Sequence, residues 1–143
     1  MLFFDIAFAQ AQLAFLNDEV PVGAVIVKDG VVIAMQANRM RQSHDATAHA
    51  EMLCLREACQ ILKTQQLADC DVYVTLEPCP MCAGAIANAR IRRVFFGAYD
   101  EKGGGVDHGA RVFQHTLHKP EVIGGVNESL CGQLMSDFFK QKR

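Results

Sequence analysis

Apolar residues recur at Leu2, Phe3, Ile6, Ala9, Leu13 and Leu16, with Gln10, Gln12 and Asn17 between them. This spacing predicts an amphipathic helix over residues 2–17. The pattern then changes. Two β-rich runs, residues 23–27 and 31–35, flank Lys28-Asp29-Gly30, a hairpin signal with glycine in the turn. Residues 38–47 are polar and aperiodic and read as a loop. Helical spacing returns over 48–62. A short strand is expected at 71–76, a buried helix of small apolar residues at 80–89, and another strand at 93–97. Residues 98–110 contain Gly103-Gly104-Gly105 and read as a mobile loop with a hinge. A last strand at 121–124 and a closing helix at 127–140, N-capped by Asn127, complete the chain. Strands alternate with helices after the opening hairpin, which predicts one sheet with helices on both faces. No repeat or low-complexity linker interrupts residues 1–143, so a single domain is expected.

Composition narrows the class. The chain has 143 residues, 50% of them hydrophobic and 21% charged, which excludes a disordered or fibrous protein. The net charge of −2 offers no global basic field for nucleic acid. It is unevenly spread, with −4 in residues 1–71 and +2 in residues 72–143, so a local basic face in the second half is possible. No apolar run is long enough for a membrane span. The N-terminus has no Lys or Arg before residue 28 and Asp5 breaks its apolar run, so no secretory signal is expected and a cytoplasmic location is. Six cysteines in that compartment stay reduced and serve as metal ligands, catalysts or buried hydrophobes.

The candidate chemistry lies in His49-Ala50-Glu51 and in Pro78-Cys79-Pro80-Met81-Cys82. Both fall at predicted helix starts. Cys79 and Cys82, three apart, share one helical face, so both sulfurs can reach one point. Two thiolates and a neutral imidazole balance Zn²⁺ in charge, and three protein ligands leave a fourth tetrahedral position open to water. Zinc lowers the pKa of such a water to about 7. Two residues span about 200° around a helix, so Glu51 points beside the metal rather than at it, where a carboxylate can take a proton from water. The chemistry suits hydrolytic loss of ammonia from an amidine-like aromatic carbon, and His-x-Glu followed by Pro-Cys-x-x-Cys is the pattern of zinc deaminases acting on nucleobases. Two other readings of Cys79-Pro80-Met81-Cys82 remain: a dithiol redox pair, or a structural zinc site with Cys70, His108, His115 or His118 as fourth ligand. Either would make the chain a non-catalytic zinc or thiol module.

Beyond the motif, Val20-Pro21-Val22-Gly23-Ala24-Val25, Thr47-Ala48-His49-Ala50-Glu51, Thr75-Leu76-Glu77-Pro78-Cys79, Met81-Cys82-Ala83-Gly84-Ala85, Phe96-Gly97-Ala98 and Ser136-Asp137-Phe138-Phe139 resemble the bacterial tRNA adenosine deaminases, the TadA family. The likeness runs in order from about residue 5 to the end. It implies a three-layer α/β/α cytidine-deaminase-like fold around a five-stranded mixed sheet, working as a homodimer. It implies zinc-dependent deamination of adenosine to inosine at the wobble position of a tRNA anticodon loop, with hydroxide attacking C6 of the base. Residue by residue, it implies one zinc per chain on His49, Cys79 and Cys82, with Glu51 as proton shuttle. Asn38 matches a nucleotide-contacting position; Val22, Ala50 and Leu76 match the base pocket. The chain departs from the family at Ala37, Ala46 and the glycine loop 102–109. Purine deaminases acting on free guanine share Glu77-Pro78-Cys79-Pro80-Met81-Cys82, so a free base such as guanine or cytosine is the alternative substrate.

Other residues carry weaker signals. Asn38 by itself is a loop-turn residue. Cys54, Cys59, Cys70 and Cys131 read as small buried hydrophobes. Asp100 follows a strand and is a candidate for a flanking nucleotide. Arg90, Arg92, Arg93, Lys140, Lys142 and Arg143 form a candidate phosphate-contacting set, with Phe138 or Phe139 near splayed bases; the alternative is a solvated charge pattern and a packed aromatic pair.

Overall fold

The computed structural model of the protein describes residues 2–142. Helix α1 (Leu2–Leu16) leads into a hairpin of β1 (Gly23–Lys28) and β2 (Val31–Ala37). Its turn holds Asp29 and Gly30 at φ 50° and 77°. Two positive φ values make a turn whose twist matches the strands, and glycine supplies one of them without a steric penalty. Then follow α2 (Ala50–Leu62), β3 (Cys70–Leu76), α3 (Pro80–Asn88), β4 (Arg93–Ala98), β5 (Glu121–Ile123) and α4 (Glu128–Gln141). Each helix and strand expected from the pattern is present, with ends displaced by at most two residues.

The strands form one mixed sheet in the order β2-β1-β3-β4-β5. β1 is antiparallel to β2 and β3, while β4 is parallel to β3 and β5. The side-chain period of two divides the strands between two cores. Ala24, Ile26, Val72 and Val74 pack with Cys54 and Ala58 of α2 and Ile86 of α3. Val25, Val27 and Tyr73 pack with Phe4 and Ala7 of α1 and Cys131 of α4. The result is an α/β/α sandwich.

Helix α1 corrects the expected apolar stripe. Phe4, Ala7, Ala11 and Ala14 are buried, whereas Leu2 and Leu16 are 69% and 81% exposed. The cause lies in Gly23, where a Cβ would sit 2.0 Å from the Ala7 carbonyl oxygen and 2.5 Å from the Ala11 nitrogen. The helix backbone rests directly on β1, so alanines occupy the contact face and the large residues turn outward. Asn127 stands at the N-cap of α4 as expected, but with φ 51°, ψ 41° and no side-chain bond to the helix. It serves as a left-handed corner, a conformation Asn tolerates better than most residues.

The register brings the chemistry to one edge. Gly23 pairs with Ala37, and Leu76 with Ala98. The start of β1, the end of β2 and the ends of β3 and β4 therefore lie together, and the loops leaving them lead to the first turns of α2 and α3.

Candidate active site

His49 is the N-cap of α2 and Cys79 the N-cap of α3. Both have extended backbones, φ −71° and −70°, and neither uses its side chain to cap its own helix. Pro80 occupies the first turn of α3, where its missing N–H costs nothing. Cys82 lies one turn in. These placements bring His49 Nδ1 to 3.6 Å from Cys79 Sγ and 3.5 Å from Cys82 Sγ. Tetrahedral zinc, with bonds of about 2.3 Å to sulfur and 2.0–2.1 Å to nitrogen, sets the N···S edge at about 3.6 Å. The donor set fits zinc in chemistry and in spacing.

Among the described residues no fourth His, Cys, Asp or Glu completes this group. Cys70 begins β3 while Cys79 follows its end, roughly 20 Å of strand away. His118 Nε2 lies 2.6 Å from the Ile91 carbonyl, and His108 pairs with Glu77. A three-ligand set with an open corner is the arrangement of a catalytic rather than a structural zinc site.

The electrostatics suit thiolate and proton transfer. A hydrogen bond from the Cys82 thiol, joined by His49, holds the Cys79 thiol down at about 4. The same contact and burial push the Cys82 thiol up. The Cys79 hydrogen bond also raises His49. Glu51, in the first turn of α2, is only 4% exposed, and that burial raises its carboxyl to about 7. A carboxyl poised there can both accept and return a proton at neutral pH.

A cavity of about 240 Å³ opens onto His49, Glu51 and Cys79, with Val22, Asn38 and Leu76 in its walls. Cys82 and Ala50 stand behind the wall, fully buried. Asn38 uses both ends of its amide within the protein. Its Oδ1 accepts from the Ala50 N–H at 2.8 Å, and its Nδ2 donates to the Val20 carbonyl at 3.0 Å. The Asn therefore fixes the start of α2, beside both His49 and Glu51, while facing the cavity.

A larger groove of about 840 Å³ shares Val20, Leu76, Asp100 and Gly103 with this cavity. It runs along α4 past Tyr99, Phe139, Lys140 and Lys142. Of the described residues in the expected phosphate-contacting set, only Lys140 in α4 and Lys142 at its C-cap line the groove, and Lys142 is paired with Asp18. Arg92 is engaged with Asp71 at 2.9 Å and Arg93 with Glu121 at 3.1 Å. Arg93 begins β4, about 17 Å of strand from its Ala98 end, and Arg92 directly precedes it. Arg90 lies nearby, just beyond α3. They serve the far edge of the sheet and not the cavity. Phe138 is buried against Phe15, whereas Phe139 is exposed in the groove. Arg143 lies outside the described residues.

Two glutamates escape a reading of the sequence. Glu19, 1% exposed, accepts the N–H groups of Arg41 and Gln42 at 3.0 and 2.8 Å and holds the loop before α2. Glu77 holds the loop after β4 through the N–H groups of Asp100, Val106, Asp107 and His108. The expected mobile hinge at 103–105 is thus a pinned segment, with Gly104, Gly105 and Val106 buried. The sequence offered one hint: each glutamate is the charged residue abutting an apolar or proline-bearing run, Glu19-Val20-Pro21 and Leu76-Glu77-Pro78.

Comparison with known proteins agrees with this geometry. The MafB19-like deaminase family matches residues 2–143. The tRNA-specific adenosine deaminase of Agrobacterium fabrum is 48% identical over 143 residues, covering 99% of this chain and 94% of that protein. A structure from studies of A-to-I editing by tRNA:A34 deaminases at the wobble position of transfer RNA superimposes with a TM-score of 0.91. It is 48% identical and covers 93% of this chain and 98% of its own. A guanine deaminase from Bacillus subtilis matches less of the molecule, at TM-score 0.65, 46% identity, 68% of this chain and 63% of that one. The chain has the cytidine-deaminase-like fold and belongs to the MafB19-like deaminase family and to the bacterial tRNA adenosine deaminases.

Proposed function

We propose that residues 1–143 form one zinc-dependent deaminase domain that converts adenosine to inosine at the wobble position of a tRNA anticodon loop. The observation that carries the reaction type is the grouping of His49, Cys79 and Cys82 at one cavity, where His49 and Cys79 line the wall beside Glu51 and Cys82 lies directly behind it. Zinc bound there, one per chain, would supply hydroxide at neutral pH by lowering the pKa of water. Glu51 accepts a proton from the attacking water and delivers it to the ring nitrogen, then assists the departing amine. The C6–O bond forms, the C6–N bond breaks, and water is exchanged for ammonia. Val22, Asn38 and Leu76 shape the pocket for the base, with Ala50 behind them tying Asn38 to α2.

Two observations favour RNA over a free base. The relatives named for tRNA are 41–48% identical over nearly the whole chain, whereas guanine deaminases match either about two thirds of it, at 46% identity, or nearly all of it at only 20%. The base-sized cavity also continues into a groove with Lys102, Lys140 and Phe139, groups that suit phosphates and an unstacked neighbouring base. A loop substrate makes extrusion of the base inexpensive. The homodimer rests on the family resemblance, and the cytoplasmic location on the tRNA substrate. No helix among the described residues is long and apolar enough to cross a membrane.

The test is direct. Zinc-loaded protein is incubated with an anticodon stem-loop bearing adenosine at the wobble position and, separately, with free guanine, adenine and cytosine. Inosine in the RNA with the free bases untouched is expected. Rapid ammonia release from guanine, with the RNA unchanged, would assign the site to free purines.

A further inference from the structure

Glu77 belongs to the Thr75-Leu76-Glu77-Pro78-Cys79 motif, yet proton transfer and metal binding give it no task. Its side chain is fully buried, at 0% exposure. Oε2 accepts the N–H groups of Val106, Asp107 and His108 at 3.2, 2.9 and 3.0 Å. Oε1 accepts the Asp100 N–H at 3.0 Å and lies 2.8 Å from His108 Nδ1. A carboxylate has no proton to give, so Nδ1 is the donor there. Five donors around one anion account for its burial without a stranded charge.

The surrounding glycines exist to let this happen. A Cβ on Gly104 would lie 2.4 Å from Glu77 Oε2, and one on Gly105 2.5 Å from the Pro80 nitrogen. The Gly105 N–H donates to the Pro78 carbonyl at 2.8 Å. The loop therefore grips the chain on both sides of Cys79. Its near end, Asp100 to Gly103, is a wall shared by the cavity and the α4 groove. Asp100 Oδ1 turns that wall by accepting the N–H groups of Lys102 and Gly103 at 3.2 and 2.9 Å.

Taking the deaminase reading as the basis, we infer that Glu77 and His108 form a latch that positions the Asp100–Gly103 wall against the RNA flanking the target base. Glu77 is a positioning residue, and the imidazole of His108, 31% exposed on the solvent side, closes the latch. His108 bonds Glu77 and is no member of the His49, Cys79 and Cys82 group, so its loss is expected to act on substrate binding and not on the proton transfer.

His108→Leu removes the Nδ1–H donor, while His108→Asn keeps an N–H near the same position. Three quantities are read for each: zinc per chain, native-state tryptic cleavage after Lys102, and KM and kcat on the stem-loop. His108→Leu should retain zinc, cleave about tenfold faster and raise KM about tenfold with kcat within about threefold, the scale of one lost hydrogen bond to a charged group. His108→Asn should stay within about threefold of the parent in all three. Unchanged cleavage and KM in His108→Leu would overturn the latch. So would a fall in kcat at constant KM, or His108→Asn as impaired as His108→Leu. If the parent protein makes no inosine, the deaminase reading fails by itself, and the cleavage rates still decide whether His108 fastens the loop.

Discussion

Truncating Asn38 to alanine isolates the joint between the cavity and helix α2. Asn38 is 4% exposed, and Ala50, whose N–H it receives, is fully buried. Removal of the amide leaves that N–H without a partner in the first turn of α2, where no helical carbonyl can reach it. A buried donor left unpaired costs about 1–3 kcal/mol. The Val20 carbonyl, at 3.0 Å on the other side, loses its partner too, but Val20 is only partly buried and water can replace part of that bond. The sum is about 2–4 kcal/mol, a large share of the ~5–15 kcal/mol that holds a domain of this size. With a urea slope of about 2 kcal/mol per M, the unfolding midpoint of the zinc-loaded protein should fall by about 1–2 M. Zinc affinity should weaken about tenfold, because the bond to Ala50 sets the direction of the adjacent His49. Far-UV circular dichroism in urea and competition with a zinc chelator read the two effects. Asn17→Ala, at an exposed position outside the site, serves as control and should shift the midpoint by less than ~0.3 M. A similarly small shift for Asn38→Ala would refute the assignment of Asn38 as the anchor of α2.

Two further outcomes follow from packing and exposure. Gly105→Ala drives a Cβ into the Pro80 backbone and should destabilise the fold by about 1–3 kcal/mol, whereas Gly103→Ala meets only the Asp100 carboxylate at 3.0 Å and should cost under ~1 kcal/mol; thermal unfolding compares them. Brief iodoacetamide treatment of chelator-stripped protein should modify Cys79 first, since it lines the cavity and its thiol is held at about 4, while buried Cys54, Cys70 and Cys131 stay unmodified; zinc should protect Cys79, and peptide mass mapping reads the result.

How far the sequence foretold this can be seen residue by residue. The meeting of His49, Cys79 and Cys82, with Glu51 beside them, was legible because a shared metal restricts residue type and spacing tightly enough for a short-range pattern to show it. The five strands were legible for a similar reason, since β-rich runs bounded by glycine, proline and asparagine leave little choice. The inner face of α1 was not. Its orientation depends on how closely the helix sits on Gly23, a distance set by tertiary contact, and a helix with apolar residues on both sides gives no phase. The positions of Arg92 and Arg93 needed the direction of β4, which places them at the end of the sheet away from the cavity. The loop-holding roles of Glu19 and Glu77 were not legible, because a buried carboxylate serving backbone N–H groups looks in sequence much like any surface glutamate. The glycine run likewise reads as freedom, although its purpose is close approach to Glu77 and Pro80.

The central claim is that a metal held by one imidazole and two sulfurs works with the carboxyl of Glu51. Glu51→Gln keeps the size of the side chain and removes its capacity to carry a proton away. Zinc content and single-turnover inosine formation, measured on the same preparation, test the claim most directly. About one zinc per chain is expected, with the rate on the stem-loop lowered by about 10²–10⁴-fold. A variant that keeps its zinc and still forms inosine within about threefold of the parent rate would contradict the claim.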